Sequence, residues 1–349
     1  MSLVAITGLL PDEINETFSI NEKFRGKQIF RWISSGVESF SDMTNIPQQL
    51  REKLSKEAVL RCSEISQVLK DPDGTIKLQI KLSDGYCIET VLLTDEDDRK
   101  TACVSCQVGC AMACAFCQTG KLGFARNLTA AEIVEEFFLL EKIAGKLDNI
   151  VFMGMGEPML NLTEIRKAIQ LLSHPEGRNL SVRRITLSTS GIISGIYDLA
   201  DNGPELRLAV SLTTATQELR EKLMPVAKAN PLPELSKAIR YYIEKTGRRC
   251  TLEAALLSGV NTRKEDAAAM KAFAGDMPVH INLIPWNPVE GLEYKEPSVS
   301  ECNAFIKELK RLSLNVTQRT RRGRKIGGAC GQLGKTTSKS NSDTPSEIS

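Results

Sequence analysis

Apolar residues between positions 9 and 58 recur at helical spacing, and no stretch there alternates as a strand would. Within residues 23–33, Phe30, Trp32 and Ile33 share a stripe, and Leu50, Leu54 and Val59 extend another. A small N-terminal helical domain over residues 1–58 follows. The period then changes to two. Ile76, Leu78, Ile80 and Leu82 alternate with polar residues, Asp84-Gly85 is a hairpin turn signal, and residues 86–94 read as the returning strand. Residues 59–98 are therefore expected to form a β-hairpin connector, with Glu89 on its second strand.

From Ala102 onward the pattern is strand, loop and helix, repeated. Strands are predicted over residues 149–153, 184–188, 206–212, 251–257, 279–284 and 314–317. Helices are predicted over 133–147, 165–172, 218–223 and 299–312. Alternating elements of this kind argue for an α/β catalytic domain over residues 99–334, its parallel sheet open or curled into a partial (β/α) barrel. Such barrels keep their chemistry on the loops after the strands. Residues 335–349 are rich in Ser, Thr and Lys without apolar periodicity and read as a disordered tail.

The 349 residues suffice for one large domain and a small one, and 42% hydrophobic with 25% charged residues is ordinary for a globular protein. A net charge of +2 sets up no global field that would demand a nucleic acid. Locally, residues 318–325 hold five cations in eight positions, which reads as a solvated basic turn or as a contact for RNA phosphates. No secretory signal or apolar run of spanning length is evident, so a cytoplasmic protein with reduced thiols and no membrane partner is expected.

Five of the ten cysteines fall within residues 103–117, and three read Cys110-x-x-x-Cys114-x-x-Cys117. Three thiolates can hold three irons of a [4Fe–4S] cluster and leave the fourth open, where a closed structural site would use four ligands. Cys103-x-x-Cys106 with Cys114-x-x-Cys117 can also be read as a zinc module, giving a zinc-stabilised RNA-binding protein. Gly154-Met155-Gly156-Glu157-Pro158 follows a predicted strand, 37 residues beyond Cys117. Its glycines allow a ligand to approach the backbone closely, and the zinc reading does not anticipate it.

The C-x3-C-x2-C spacing with Phe116, followed by the Gly-Glu-Pro loop, resembles the radical SAM enzymes. The likeness narrows with Cys103-Val104-Ser105-Cys106-Gln107-Val108-Gly109-Cys110, Leu187-Ser188-Thr189-Ser190-Gly191, Asn282-Leu283-Ile284-Pro285-Trp286-Asn287-Pro288 and Ala329-Cys330-Gly331-Gln332-Leu333. Together these resemble the bacterial radical SAM adenosine-C2 RNA methyltransferases, in the same order, from about residue 24 to 333. The family's C8 methyltransferases of the antibiotic-resistance type are the nearest enzyme alternative, but the Ser188 and Trp286 motifs look more like the C2 branch.

The resemblance implies a radical SAM core of partial-barrel form, a [4Fe–4S] cluster on Cys110, Cys114 and Cys117, and S-adenosylmethionine held by Gly156, Glu157, Ser188, Ser211, Leu212, Thr213 and Asn287. It implies an RNA substrate (23S rRNA, and also tRNA beside the anticodon), an electron donor such as flavodoxin or ferredoxin, and action as a monomer. Adenine C2 is electron-poor and cannot attack a methyl group as an ordinary nucleophile. The family's route is implied instead. Cys330 receives a methyl group from one SAM, and a radical derived from a second takes hydrogen from it. The carbon radical then adds to C2 and joins RNA to protein. Glu89 removes the C2 proton, and Cys103 attacks the Cys330 sulfur, releasing the base and leaving a disulfide. Cys62, Cys87, Cys250 and Cys302 are expected to be structural, Cys106 incidental, and His174 and His280 ordinary packing or solvent residues. Two departures from the family pattern stand out: Thr213 replaces a histidine common in relatives, and Arg324-Lys325 stand where acidic residues are usual.

Overall fold

The computed structural model describes residues 3–334; the predicted tail lies outside them. Helices Pro11–Thr17, Lys23–Ser34 and Gln48–Glu57 form the N-terminal unit. Pro11 opens the first helix, where its missing N–H costs nothing. Gly26 lets the first two helices cross closely, since a Cβ there would lie 2.1 Å from the Pro11 carbonyl oxygen. Phe30 and Ile33 are buried as the stripe predicts, and the Trp32 indole N–H donates to Asn45 Oδ1 at 2.7 Å. Strand Val4–Ala5 pairs in parallel with Ala58–Val59 and closes the unit. Its apolar side chains join the same continuous core as those of the rest of the chain.

One ten-stranded sheet organises everything else. Strands Lys100–Val104, Asn149–Phe152, Ile185–Thr189, Arg207–Ser211, Cys250–Leu256, His280–Pro285 and Val316–Gln318 run parallel, each beside the next. The expected hairpin, Ile76–Leu82 with Cys87–Thr94, is present, but it is no separate connector. Cys87–Thr94 pairs antiparallel with Lys100–Val104 and carries the sheet onward. Ser63–Lys70, which the pattern reading leaves out, adds an antiparallel edge. The sheet does not close, yet Cys103 near one side of the parallel region and Arg319 beyond the other line one cavity, so it curls as a partial barrel does. Helices Ile193–Asn202, Leu232–Thr246 and Lys264–Ala274 join those predicted between the parallel strands. No described helix is long and apolar enough to cross a membrane.

Candidate active site

The loops after the parallel strands meet around two adjoining cavities. The smaller, about 180 Å³, is lined by Cys110, Cys114, Cys117, Gly156, Glu157, Ser188, Ser211, Thr213 and Cys330. The cysteine loop is framed by a short antiparallel pair, Gln107–Gly109 with Phe124–Asn127. The two segments touch at Gly109, where a Cβ would stand 1.9 Å from the Gly123 carbonyl oxygen. Burial, reinforced by repulsion from Cys117, pushes the Cys110 thiol up to about 12, and Cys114 and Cys117 are raised by burial as well. Such thiols become ligands only where a metal repays their deprotonation.

The donor set suits a cluster. Three soft sulfurs face one cavity, while among the described residues no group of three or more His, Cys, Asp or Glu side chains could hold a metal ion. A [4Fe–4S] cluster would be held by one cysteine on each of three irons, which three cysteines of one loop lining one cavity can supply. A single zinc ion would need four cysteines drawn together, and Cys103 lies on the other cavity.

Glycine is required beside the cysteines. A Cβ on Gly154 would lie 2.6 Å from the Val104 carbonyl oxygen, and one on Gly156, at φ +103°, would lie 2.6 Å from the Gln107 side chain. Gly156→Ala is expected to cost about 1–3 kcal/mol of stability and to abolish SAM binding, read by thermal unfolding and ligand titration. Normal binding by that variant would remove the loop from the site. Glu157 is buried and its carboxyl is held above the usual range by desolvation. Its Oε2 accepts from Ser190 N at 2.7 Å and Ser190 Oγ at 2.6 Å, fastening this loop to the end of the next strand. Thr213 adopts φ +60°, a strained setting for a β-branched residue of the kind found at functional sites. Leu212 is buried behind the wall, its N–H donating to the Glu253 carbonyl at 2.8 Å, and does not line the cavity.

The larger cavity, about 550 Å³, is lined by Cys103, Met153, Asn287, Arg319 and Cys330 among others. Cys330 thus lies on both, and it adds to the burial that chiefly raises Cys103 and Cys117. Asn287 Nδ2 donates to the Cys330 carbonyl at 3.1 Å, and its Oδ1 is buried with no partner, an acceptor that a ligand donor would satisfy. All ten cysteines are free thiols, so Cys103 and Cys330 are not joined.

Glu89 is set apart. It lies on the same sheet face as Cys103, but its carboxylate pairs with Lys77 Nζ at 3.0 Å and accepts from Gly334 N at 2.7 Å. Lys77 also donates to the Gly327 carbonyl at 3.3 Å, so the segment carrying Cys330 covers the pair. Asp73 and Asp71 accept from the backbone of Gly323 and Lys325 at 2.8 and 3.0 Å, and Glu296 pairs with Arg321 and with Arg324, the latter at 2.6 Å. Arg324 of the unusual basic pair therefore has an acidic side-chain partner, while Lys325 is held through its backbone.

Arg319, one of the five cations read as a solvated basic turn or a contact for RNA phosphates, is half-buried in the wall of the larger cavity, with Cys330, Glu253 and Cys103 acting on its charge. Burial, then Cys330, pushes the Cys103 thiol up to about 12, and Arg319 opposes this. Alkylation of Cys103 is expected to climb roughly tenfold per pH unit from neutrality upward, and Arg319→Met to slow it at each pH. Peptide mass spectrometry checks both. Equal rates with and without Arg319 would show that the guanidinium does not act on this thiol. The remaining cysteines fit structural roles: Cys87, Cys106, Cys250 and Cys302 are buried, and Cys62 donates to Glu135 at 3.4 Å. His174 packs edge-on against Phe30, and His280 shares a hydrogen bond with Thr317.

An open, curled parallel sheet whose first loop presents three thiols to a glycine-rich cofactor cavity defines a radical SAM enzyme. The radical SAM superfamily profile matches residues 104–270, and the profile of the ribosomal RNA large subunit methyltransferase N-terminal domain matches residues 8–60. The chain is 58% identical over 337 residues to a probable dual-specificity RNA methyltransferase RlmN of Treponema denticola, covering 97% of each. It is 54% identical over 332 residues to its counterpart in Treponema pallidum, covering 95% of this chain and 98% of the other. A crystal structure of a radical SAM methyltransferase from Sphaerobacter thermophilus has the same fold, with TM-score 0.91, 38% identity and coverage of 95% and 99%. The chain belongs to the RlmN family of radical SAM RNA methyltransferases. A [4Fe–4S] cluster and S-adenosylmethionine come with that membership.

Proposed function

We propose that the enzyme methylates C2 of an adenosine in 23S rRNA, in the peptidyl-transferase region, and of the adenosine beside the anticodon in tRNA, using Cys330 as a methyl carrier. The observation that carries this reading is the position of Cys330 on the wall of both cavities. On the cofactor side it can accept a methyl group. On the other it can present that carbon to a base beside Cys103. When bound, the cluster and SAM supply the methyl group and the radical chemistry.

This chain's residues do the rest. The backbone of the Gly154–Pro158 loop and the Ser188, Ser211 and Asn287 side chains hold and orient the cofactor. Cys330 joins its sulfur to the transferred carbon and, through it, to adenine C2. Glu89 takes the proton that C2 must lose. The adduct's unpaired electron would pass to the cluster when that is bound. Cys103 then gives up its own proton and attacks the Cys330 sulfur; the S–S bond forms as the S–C bond breaks, and the released methylene carbon takes up a proton to leave as the methyl group of the base. External reductant must reopen the disulfide before the next cycle. A one-electron donor such as flavodoxin or ferredoxin feeds the cluster, and a monomer suffices, because every group invoked is on one chain.

The test is an anaerobic incubation of cluster-reconstituted protein with SAM, reductant and unmodified ribosomal RNA, or tRNA, followed by nucleoside mass spectrometry. A 2-methyladenosine product is expected. An 8-methyladenosine product would move the chain to the resistance-type branch, and neither product from protein that still cleaves SAM would overturn the RNA assignment.

A further inference from the structure

Arg220 is wholly buried, at 0% exposure, on the short helix Gln217–Leu223. Sequence reasoning gave it no role. Its Nη2 donates to the carbonyls of Ser190 at 2.7 Å and Ser211 at 3.3 Å, and its Nε to that of Leu212 at 3.2 Å. Those carbonyls sit just at or beyond the ends of the neighbouring strands that carry Ser188 and Ser211. Its Nη1 is buried with no partner. Among the described residues no carboxylate pairs with it.

A guanidinium so far from water is costly unless an opposite charge lies close by. The acidic group that acts on Arg220 is the thiol of Cys114. The cysteine loop is also docked on the same helix, Ala115 N donating to the Leu223 carbonyl at 2.9 Å. Carbonyl dipoles from two strands hold the cation without neutralising it, and no described carboxylate pairs with it.

We propose that Arg220 is the fixed counter-cation of the cluster, its missing partner being the negative charge of the cysteinate-bound iron–sulfur core. Three thiolates on an oxidised [4Fe–4S] core leave a net negative charge, and one-electron reduction adds another. A permanent positive charge at low dielectric favours that electron and makes the cluster easier to reduce. The same guanidinium holds together the strand ends that meet the cofactor, so arrival of the cluster tightens the SAM site from behind. This rests on the assignment of Cys110, Cys114 and Cys117 as cluster ligands.

The test separates charge from bracing. Arg220→Lys keeps the charge and loses the fork of hydrogen bonds; Arg220→Gln keeps a donor and loses the charge. Each is reconstituted, its iron content measured, and its cluster titrated at fixed potentials by electron paramagnetic resonance. At one poise the Lys variant is expected to match the wild type in reduced cluster, while the Gln variant falls at least about tenfold in reduced-to-oxidised ratio, a shift of about 59 mV for one electron. An unchanged potential in a cluster-replete Gln variant overturns the proposal. If that variant cannot be reconstituted, hydrogen exchange on the wild type decides. Protection of residues 188–191 and 211–213 is expected to rise on cluster assembly, and unchanged exchange there overturns the proposal. Failure of the wild type to take up iron would instead refute the ligand assignment.

Discussion

Cys103→Ala protein, given a cluster, SAM, reductant and RNA, is expected to become covalently joined to its substrate and to stop. Turnover should fall roughly 10⁴-fold or more, the usual cost of losing a nucleophile that completes a covalent cycle. On the proposed route the block comes at release. Cys103 is on strand Lys100–Val104, fixed between Cys87–Thr94 and Asn149–Phe152, and is 6% exposed. Cys330 is on the segment that follows the last parallel strand, which Lys77, Glu89 and Asn287 fasten to the sheet. The early steps ask nothing of Cys103, so loading and addition should proceed in its absence. Loss of one buried sulfur should leave the fold intact, since the surrounding strands keep their pairing. A labelled RNA band that migrates with protein under denaturing conditions, and leaves a nucleotide on the peptide containing Cys330 after nuclease digestion, would establish the adduct. Ordinary turnover by Cys103→Ala would remove this thiol from the mechanism.

Much of this arrangement is legible in the chain because it is local. The parallel strands are short apolar runs, and the cofactor loops carry glycines that the backbone demands at Gly154 and Gly156. Three features are not legible, each for a physical reason. Ser63–Lys70 is an edge strand exposed along most of its length, so it has no apolar alternation to reveal it. Lys77 and Glu89 occupy polar positions of a period-two pattern and should face water. They are covered by residues 327–334, about 250 positions away in the chain. Arg319 follows the last parallel strand, and whether it points to solvent or into the cavity is decided by the curl of the sheet, a property of all the strands together. Arg220 is hidden for a related reason: an arginine in a helix of mixed charge reads as solvated until the three carbonyls that surround it are known.

Glu89 raises the second large effect, and it needs a double variant. Its pair with Lys77 is buried on both sides, with side-chain exposures of 3% and 5%. Glu89→Gln alone leaves an ammonium without its partner, a change worth roughly 3–5 kcal/mol of stability, so inactivity of that variant would say little. Lys77→Met combined with Glu89→Gln removes both charges. Replacing a buried pair by groups of similar volume is often neutral or stabilising, so this protein is expected to unfold near the wild-type temperature. Its methylation rate should fall by about 10²–10⁴-fold, the usual contribution of a general base. Because the C2 proton must leave before the carbon–sulfur bond breaks, the double variant should also hold the RNA adduct, although Cys103 is present. Lys77→Met alone leaves the buried carboxylate with only its bond from Gly334 N and is destabilised as Glu89→Gln is. It is therefore assayed below its own unfolding temperature, where the folded protein is expected to retain methylation above the double variant. On the proposed route the carboxylate would reach a base only with residues 327–334 lifted away, and that segment carries Cys330. Loading with the segment down and transfer with it raised would let one movement present the methyl group and uncover the base. Comparable losses in Lys77→Met and the double variant would instead make the pair a fastening of that segment, and Glu89 no base at all.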